Sequence, residues 1–429
     1  MPIVAGVDSS TQSVKVVLRD ADSGELVAST SRPHPDGSEV NPQHWWKALS
    51  EALDELSSHK ISAISIAGQQ HGMIALDKDG TVIRDALLWN DTRSDKAAED
   101  LNREIPDIAL RTGSQLVASF TASKVRWLVD SEKANANRVA AIALPHDWLS
   151  WKLSGAKSIE TLFTDRSDAS GTGYFDSRKN EYCLDILATA IRTNQEIILP
   201  KIIAPNQFGA TSTNSIPIAA GAGDNAGAAL GLGASLGDLV ISLGTSGTAF
   251  AISKSSTHDS SGEVAGFADA TGNFLPLACT LNAAKIFNTV AKSLSLSFEE
   301  FSSLALSAKV GAEGLRIIPH FDGERTPNKP SAKGSFHGIT HSNFTKENIA
   351  RASIEGVIAG MIYAAKAVER QGVSYSRILL IGGAAKNSAV QQIAADLFGR
   401  TIHIPPIGEY VADGAAKQAA WALSGKDQV

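Results

Sequence analysis

A chain of 429 residues is long for one ordinary domain and comfortable for two. With 43% apolar and 20% charged residues it has the balance of a soluble globular protein, and its net charge of −6 gives no electrostatic reason to expect nucleic acid as a partner. Two isolated cysteines, Cys183 and Cys279, exclude a disulfide framework and fit inert thiols in a reducing compartment.

The opening stretch MPIVAGVDSSTQSVKVVL has neither the basic region nor the long apolar run of a secretory signal. No uncharged apolar stretch reaches the length of a membrane span. The expected location is the cytoplasm, with no membrane partner.

Along the chain, short Val/Ile-rich runs alternate with longer Ala-rich ones. Residues 3–7 and 14–18 read as strands around a polar turn, followed by a helix over 45–56 and a strand over 61–67. A helix over 121–129, strands over 139–144 and 216–220, and a helix over 226–233 come next. The second half reads as strands over 239–243 and 378–381, with helices over 346–369, 389–397 and 414–423. Interleaved strands and helices argue for α/β layers with mostly parallel sheets.

Both halves open alike. GVDSSTQSVKVVL near the start and LVISLGTSGTAFAI near the middle are each strand, turn, strand, with Thr11 matching Thr245 and Ser13 matching Gly247. A duplicated architecture follows, with domains expected over 1–235 and 236–429.

Four strand ends carry small or polar turns: VDSSTQS, SLGTSGT, AAGAGDNAG and LIGGAAKN. Small residues let backbone N–H groups approach a phosphate, and a following helix adds its positive end. The run Gly221-Ala222-Gly223-Asp224-Asn225-Ala226-Gly227 is a poor dinucleotide fingerprint: its third glycine comes one residue late, and Asp224 stands where a pyrophosphate would approach. No Walker-type loop occurs.

Asp224 instead follows a strand and precedes an Ala/Gly helix. There the helix dipole is expected to keep it ionised, able to take a proton from a hydroxyl that attacks ATP. The structural alternative is a plain N-cap aspartate.

The segments GVDSSTQSVK (6–15), IAGQQHG (66–72), LWNDTR (88–93), GAGDNAG (221–227), SLGTSG (242–247), GERTP (323–327) and IGGAA (381–385) together resemble the FGGY carbohydrate kinases. They occur in family order over nearly the whole chain, and most closely resemble the members that phosphorylate D-xylulose. The resemblance implies two ribonuclease H-like domains of the actin-type ATPase fold with a cleft between them. Sugar would lie on the N-terminal side and ATP largely on the C-terminal side, with closure excluding water.

By the same resemblance Asp224 is the general base, Asp8 organises the Mg²⁺–phosphate end, and both carboxylates hold the metal through water. Gln70 and His71 match the pair that contacts the sugar, and Asn225, beside the base, is expected among the substrate-binding residues. Thr11, Gly244, Thr245, Ser246 and Gly247 would meet the ATP phosphates, while Gly382, Gly383, Ala384 and Asn387 would border the nucleotide. The implied partners are a small sugar and ATP; a homodimer is compatible with the resemblance.

The residues themselves agree in part. Asp8 ends a strand, where a carboxylate suits a hydrated Mg²⁺ or, alternatively, an Asx-type turn. His71 lies in a polar loop and offers one donor and one acceptor to hydroxyls. Lys15 is expected to face solvent or a carboxylate.

Trp89 could stack on a sugar and Asp91 bind its hydroxyls, but a structural turn with an Asp91–Arg93 contact reads equally well. Residues 323–327 are either a loop lining the cleft or a shaped turn. His337 and His341 have zinc-like spacing, yet Gly338, Ile339 and Thr340 make a poor helix between them.

Ser10 departs from the glycine that many members carry, and the C-terminus stops soon after its helix, which bears on oligomer contacts. A kinase for ribulose, gluconate or glycerol is the nearest alternative. A silent sugar- or nucleotide-binding regulator fits the intact Asp8, Thr11 and Asp224 set less well, and no exposed apolar surface signals an actin- or chaperone-like ATPase.

Overall fold

The buried run after the N-terminus forms β1 (Ile3–Ser9), the central strand of the first sheet, in a computed structural model that describes residues 1–192 and 196–427. β1 is covered on both faces, as its unbroken apolar run requires. β2 (Ser13–Asp20) pairs antiparallel with it, and β3 (Leu26–Pro33) pairs antiparallel with β2 at the edge. On its other side β4 (Ile61–Gly68) runs parallel.

β5 (Phe208–Thr211), β6 (Pro217–Ala219) and β7 (Ala222–Gly223) complete the sheet, with β6 and β7 both parallel to β4. The spatial order is β5-β6-β4-β1-β2-β3.

The second sheet repeats this plan. β8 (Asp238–Leu243), β9 (Gly247–Ala251) and β10 (Phe274–Thr280) are successive antiparallel neighbours, and β11 (Arg377–Ile381) and β12 (Ile402–His403) add in parallel beyond β8. The short strand Ala265–Ala268 ends this sheet beyond β10, and the order β10-β9-β8-β11-β12 within it is the order β3-β2-β1-β4-β6 of the first sheet. Three antiparallel strands followed by two parallel ones, twice over, is the duplicated ribonuclease H-like architecture that the paired hairpins signalled.

Helices form where apolar residues recur at helical spacing. Lys346–Arg370 buries Ala350, Ile354, Val357, Ile358, Met361 and Ala365 on one face, and Thr345 caps its start by accepting from the Asn348 N–H. The first helix, Pro42–Glu55, starts earlier than its apolar pattern, because Asn41 accepts from the Gln43 N–H and Pro42 takes the first position. The strand expected over 139–144 shrinks to Ala141–Ala143 and pairs with Ile74–Leu76 in a small separate ladder.

The chain divides into two compact units: Met1–Ala234 with Gly266–Phe274 and Ile407–Val429, and Ser235–Ala265 with Leu275–Pro406. The expected division at residue 235 had two contiguous pieces, whereas by packing the C-terminal helix Tyr410–Ser424 belongs with the first. Its small residues Ala412, Ala416 and Ala419 rest on Val4, Val17 and Ala63. A Cβ on Gly6 would stand 1.9 Å from the Ala412 carbonyl, so only glycine lets the helix backbone lie directly on β1.

Trp45, Leu49, Trp148 and Phe163 lie in the larger core of the first unit, and Phe287, Phe301 and Met361 in that of the second. Among the described residues no helix is long and apolar enough to cross a membrane.

Candidate active site

The register of the first sheet brings the predicted acidic residues together. Asp8 stands opposite Ala67, which stands opposite Ala222; one step on, Ser9, Gly68 and Gly223 align. Asp8, Gln69-Gln70 and Asp224 therefore leave the carboxyl ends of three neighbouring strands, where parallel sheets place their ligands.

Asp224 opens the helix Asp224–Leu232. Its Oδ1 accepts from the Asn225 N–H at 2.8 Å and from Asn225 Nδ2 at 2.9 Å, which leaves Oδ2 to receive a proton. The helix dipole was expected to keep this carboxyl ionised. Instead burial, and next the charge of Asp8, push its pKa up to about 7, against the pull of Asn225. Asp8, itself buried, is pushed up to about 6 by burial, against the Ser10 hydroxyl and Lys15, which pull it down. Lys15 pairs with Glu409, so of the two expected surroundings, solvent or a carboxylate, it has a carboxylate partner.

The turn that carries Asp224 is held from beneath. Gly221 adopts φ 87, and a Cβ there would lie 2.2 Å from the His146 ring, so both backbone and space demand glycine. Gln418, fully buried on the C-terminal helix, takes the Gly221 N–H on Oε1 at 2.9 Å and gives its amide to the Gly221 carbonyl at 2.8 Å. Ser167 Oγ accepts from the Gly223 N–H at 3.1 Å.

Next to this turn lies a buried group of His146, Asp147, Asp165 and Asp168. Burial alone would push His146 down, but the carboxylates outweigh it and hold its pKa up at about 10. His146 Nδ1 donates to Asp168 Oδ2 at 2.6 Å. One donor atom from each of His146, Asp147 and Asp168 lies within 4.8 Å of the others.

On the sugar side, Gln70 packs over Gly223 and donates from Nε2 to the Ser167 carbonyl at 3.2 Å. His71 has φ 69, and its Nδ1 lies 2.6 Å from the Gly171 carbonyl, so Nδ1 carries a hydrogen. Trp89 Nε1 donates to Thr11 Oγ1 at 2.9 Å, tying that aromatic to the tip of the first hairpin.

Asp91 takes the structural alternative. Its Oδ1 accepts from the Arg93 N–H and Nε, its Oδ2 from Ser38, and these bonds outweigh burial to hold it below the usual carboxylate range.

In the second unit Ser242 stands beside Ile381 on parallel strands, so the turn Gly244, Thr245, Ser246, Gly247 and the turn Gly382, Gly383, Ala384 lie at adjoining strand ends. Asn387 is spent otherwise: Oδ1 caps the helix Ser388–Phe398 through the Ala389 and Val390 N–H groups, and Nδ2 donates to Ser302.

The GERTP segment acts through Glu324, which is buried. Its Oε1 accepts from the Leu281 N–H at 2.6 Å and its Oε2 from Asn282 Nδ2 at 3.1 Å. The next two residues, Ala283 and Ala284, donate to the carbonyls of Thr245 and Gly244. Glu324→Gln sets an amide donor against the Leu281 N–H or Asn282 Nδ2 and is expected to raise KM for ATP about tenfold, with sugar KM unchanged. Initial rates against both substrates check this.

Ser167, His146, Lys124 and Gln418 were not read from the sequence as site residues. Only Lys124 left a signal: a lysine on the face of an apolar helix that Ala122, Val125 and Leu128 bury.

On a duplicated ribonuclease H-like fold, the first unit carries a carboxylate pair at its strand ends and the second unit carries glycine turns at its own. Residues 3–231 match the N-terminal domain, and residues 239–423 the C-terminal domain, of the FGGY family of carbohydrate kinases. The chain belongs to that family and is an ATP-dependent carbohydrate kinase.

It is 41% identical to a xylulose kinase of Streptomyces coelicolor over 99% of this chain and 89% of that one. A solved xylulose kinase from Bifidobacterium adolescentis shares 42% identity and a TM-score of 0.93, covering 100% of this chain and 94% of its own. A gluconate kinase from Lactobacillus acidophilus shares the fold at TM-score 0.90 and 25% identity, over 99% and 90% of the two chains.

Proposed function

We propose that the enzyme phosphorylates the terminal hydroxyl of D-xylulose with ATP, giving D-xylulose 5-phosphate and ADP. The observation that carries the reading is Asp224, fixed through one oxygen by Asn225 and holding a pKa of about 7 that suits a general base. The sugar hydroxyl gives its proton to Asp224 Oδ2 as its oxygen bonds to the γ-phosphorus. The bond from that phosphorus to the bridging oxygen breaks in line, and ADP leaves with the electron pair.

Gln70 and His71 would orient the sugar. The N–H groups of the Gly244–Gly247 turn would meet the phosphates, and the turn at 382–384 the adenosine. The choice of D-xylulose over other polyols rests on the relatives named above and on the Gln70-His71 pair.

Asp8 and Asp224 suit Mg²⁺: both offer hard oxygens, and the charge of Asp8 raises the pKa of Asp224, a mutual repulsion that a divalent cation offsets. These two carboxylates would hold the ion through water. Bound there, Mg²⁺ would supply neutralising charge to the phosphate oxygens. A cytoplasmic location belongs to the same reading.

The test is ADP release with ATP·Mg²⁺ against D-xylulose, D-ribulose, glycerol and D-gluconate. D-Xylulose is expected to give a kcat/KM at least about tenfold above the others, since a site built for matched hydroxyls rejects a poor match strongly. A better rate with another sugar overturns the substrate and leaves the mechanism. No stimulation by any sugar overturns both.

A further inference from the structure

Lys124 is fully buried, on the helix Thr121–Ser131. Lysines seldom sit there, because the stem gains from burial while the amine loses its water. Burial pushes its pKa well below the usual ammonium range, with Asp91 as the opposing charge. A methionine would fill the same space at less cost, so stability alone does not account for a lysine.

Its hydrogen bonds point to another role. Nζ donates to the His71 carbonyl at 2.8 Å and to the Ser119 carbonyl. One turn earlier on the same helix, Thr121 Oγ1 donates to that same His71 carbonyl at 3.2 Å. His71 is a non-glycine residue in the left-handed region, a conformation that persists only where its surroundings fix it. Its carbonyl is gripped by two side chains, a ring nitrogen bonds the Gly171 carbonyl, and the rings of Phe120 and Phe267 pack tilted against its imidazole at 4.8 Å and 5.5 Å between centroids.

We infer that Lys124 is a positioning residue for sugar recognition: from beneath, it locks the strained His71 peptide so that the imidazole meets the sugar hydroxyls in one orientation. The inference rests on the reading of His71 as a sugar contact. It assigns Lys124 no part in the chemistry at phosphorus, so its removal is felt in sugar binding and selectivity before kcat or ATP affinity. Small displacements of a positioning group are costly, which sets the scale of the effect.

The experiment compares Lys124→Met, Thr121→Val and His71→Ala with the parent enzyme, measuring kcat, KM for D-xylulose, KM for ATP and thermal stability. Lys124→Met is expected to raise the sugar KM about tenfold or more, with kcat within about threefold, KM for ATP unchanged and the melting temperature not lowered. Thr121→Val should move the sugar KM the same way by about two- to threefold, since it removes one of two bonds to one carbonyl.

A normal sugar KM in Lys124→Met, beside a raised one in His71→Ala, overturns the inference and leaves the His71 reading standing. A normal sugar KM in His71→Ala overturns that reading, and the inference with it. Should Lys124→Met fail to fold, Thr121→Val decides: a sugar KM equal to the parent's rejects the lock.

Discussion

Asp224→Asn is expected to lower kcat by about a thousandfold or more while sugar and ATP still bind, because a positioned general base contributes on that scale. The amide keeps the shape of the side chain and can keep Oδ1 as the acceptor for Asn225. What it loses is the ability to take a proton. Equilibrium binding of sugar within about threefold of the parent would separate lost chemistry from lost structure.

The same substitution should make the protein more stable, in a pH-dependent way. In the folded chain the Asp224 carboxyl stands at about 7 against an ordinary 3.8, so folding makes it hold its proton more tightly. Ionising it therefore costs stability: the loss starts as pH rises past the ordinary carboxylate range and is complete above the folded value. Asparagine never incurs it. With the side chain only half-buried and partly screened, the gain at about pH 8 is roughly 1–3 kcal/mol, fading toward pH 4. Thermal melts at both ends check this; an equal gain at each pH would rule out ionisation as its cause.

Much of this site was legible because its residues sit in short, punctuated segments. The strand before Gly221, the small residues around it and the helix after Asp224 are local signals, and each local preference agrees with the fold. The two matching hairpins likewise announced a duplication that the strand orders of both sheets bear out.

What stayed hidden depends on distant partners. β3 reads LVASTSRP, a largely exposed edge strand with no apolar run of its own, placed by its pairing with β2. The role of Gln418 exists only because the C-terminal helix crosses back onto the first unit, 197 residues from Gly221. Asp91 and Asn387 have the chemistry of ligand contacts but are engaged by Ser38, Arg93 and the next helix. The raised pKa of Asp224 is hidden for the same reason: helix position is visible in sequence, while burial and the approach of Asp8 are tertiary.

Asp8→Asn should reveal that approach directly. Its expected first effect is a fall in kcat of about a hundredfold, from loss of one of the two carboxylates that organise the phosphate end. The fold should tolerate the change, since Ser10 keeps an oxygen partner and Lys15 remains paired with Glu409.

The second effect is on pH dependence. After burial, the negative charge of Asp8 is the next cause holding the proton on Asp224, and a neutral side chain removes it. Activity requires Asp224 ionised, so kcat/KM for sugar falls as pH drops through its pKa. In Asp8→Asn this acidic limb is expected at lower pH than in the parent, although the plateau is lower. The variant would then retain a larger fraction of its own maximal rate at about pH 6 than the parent does of its own. Profiles of kcat/KM over about pH 5–9 test it. A limb that stays in place means that the carboxylates do not share charge during turnover, and Asp8 would then act on the phosphates alone.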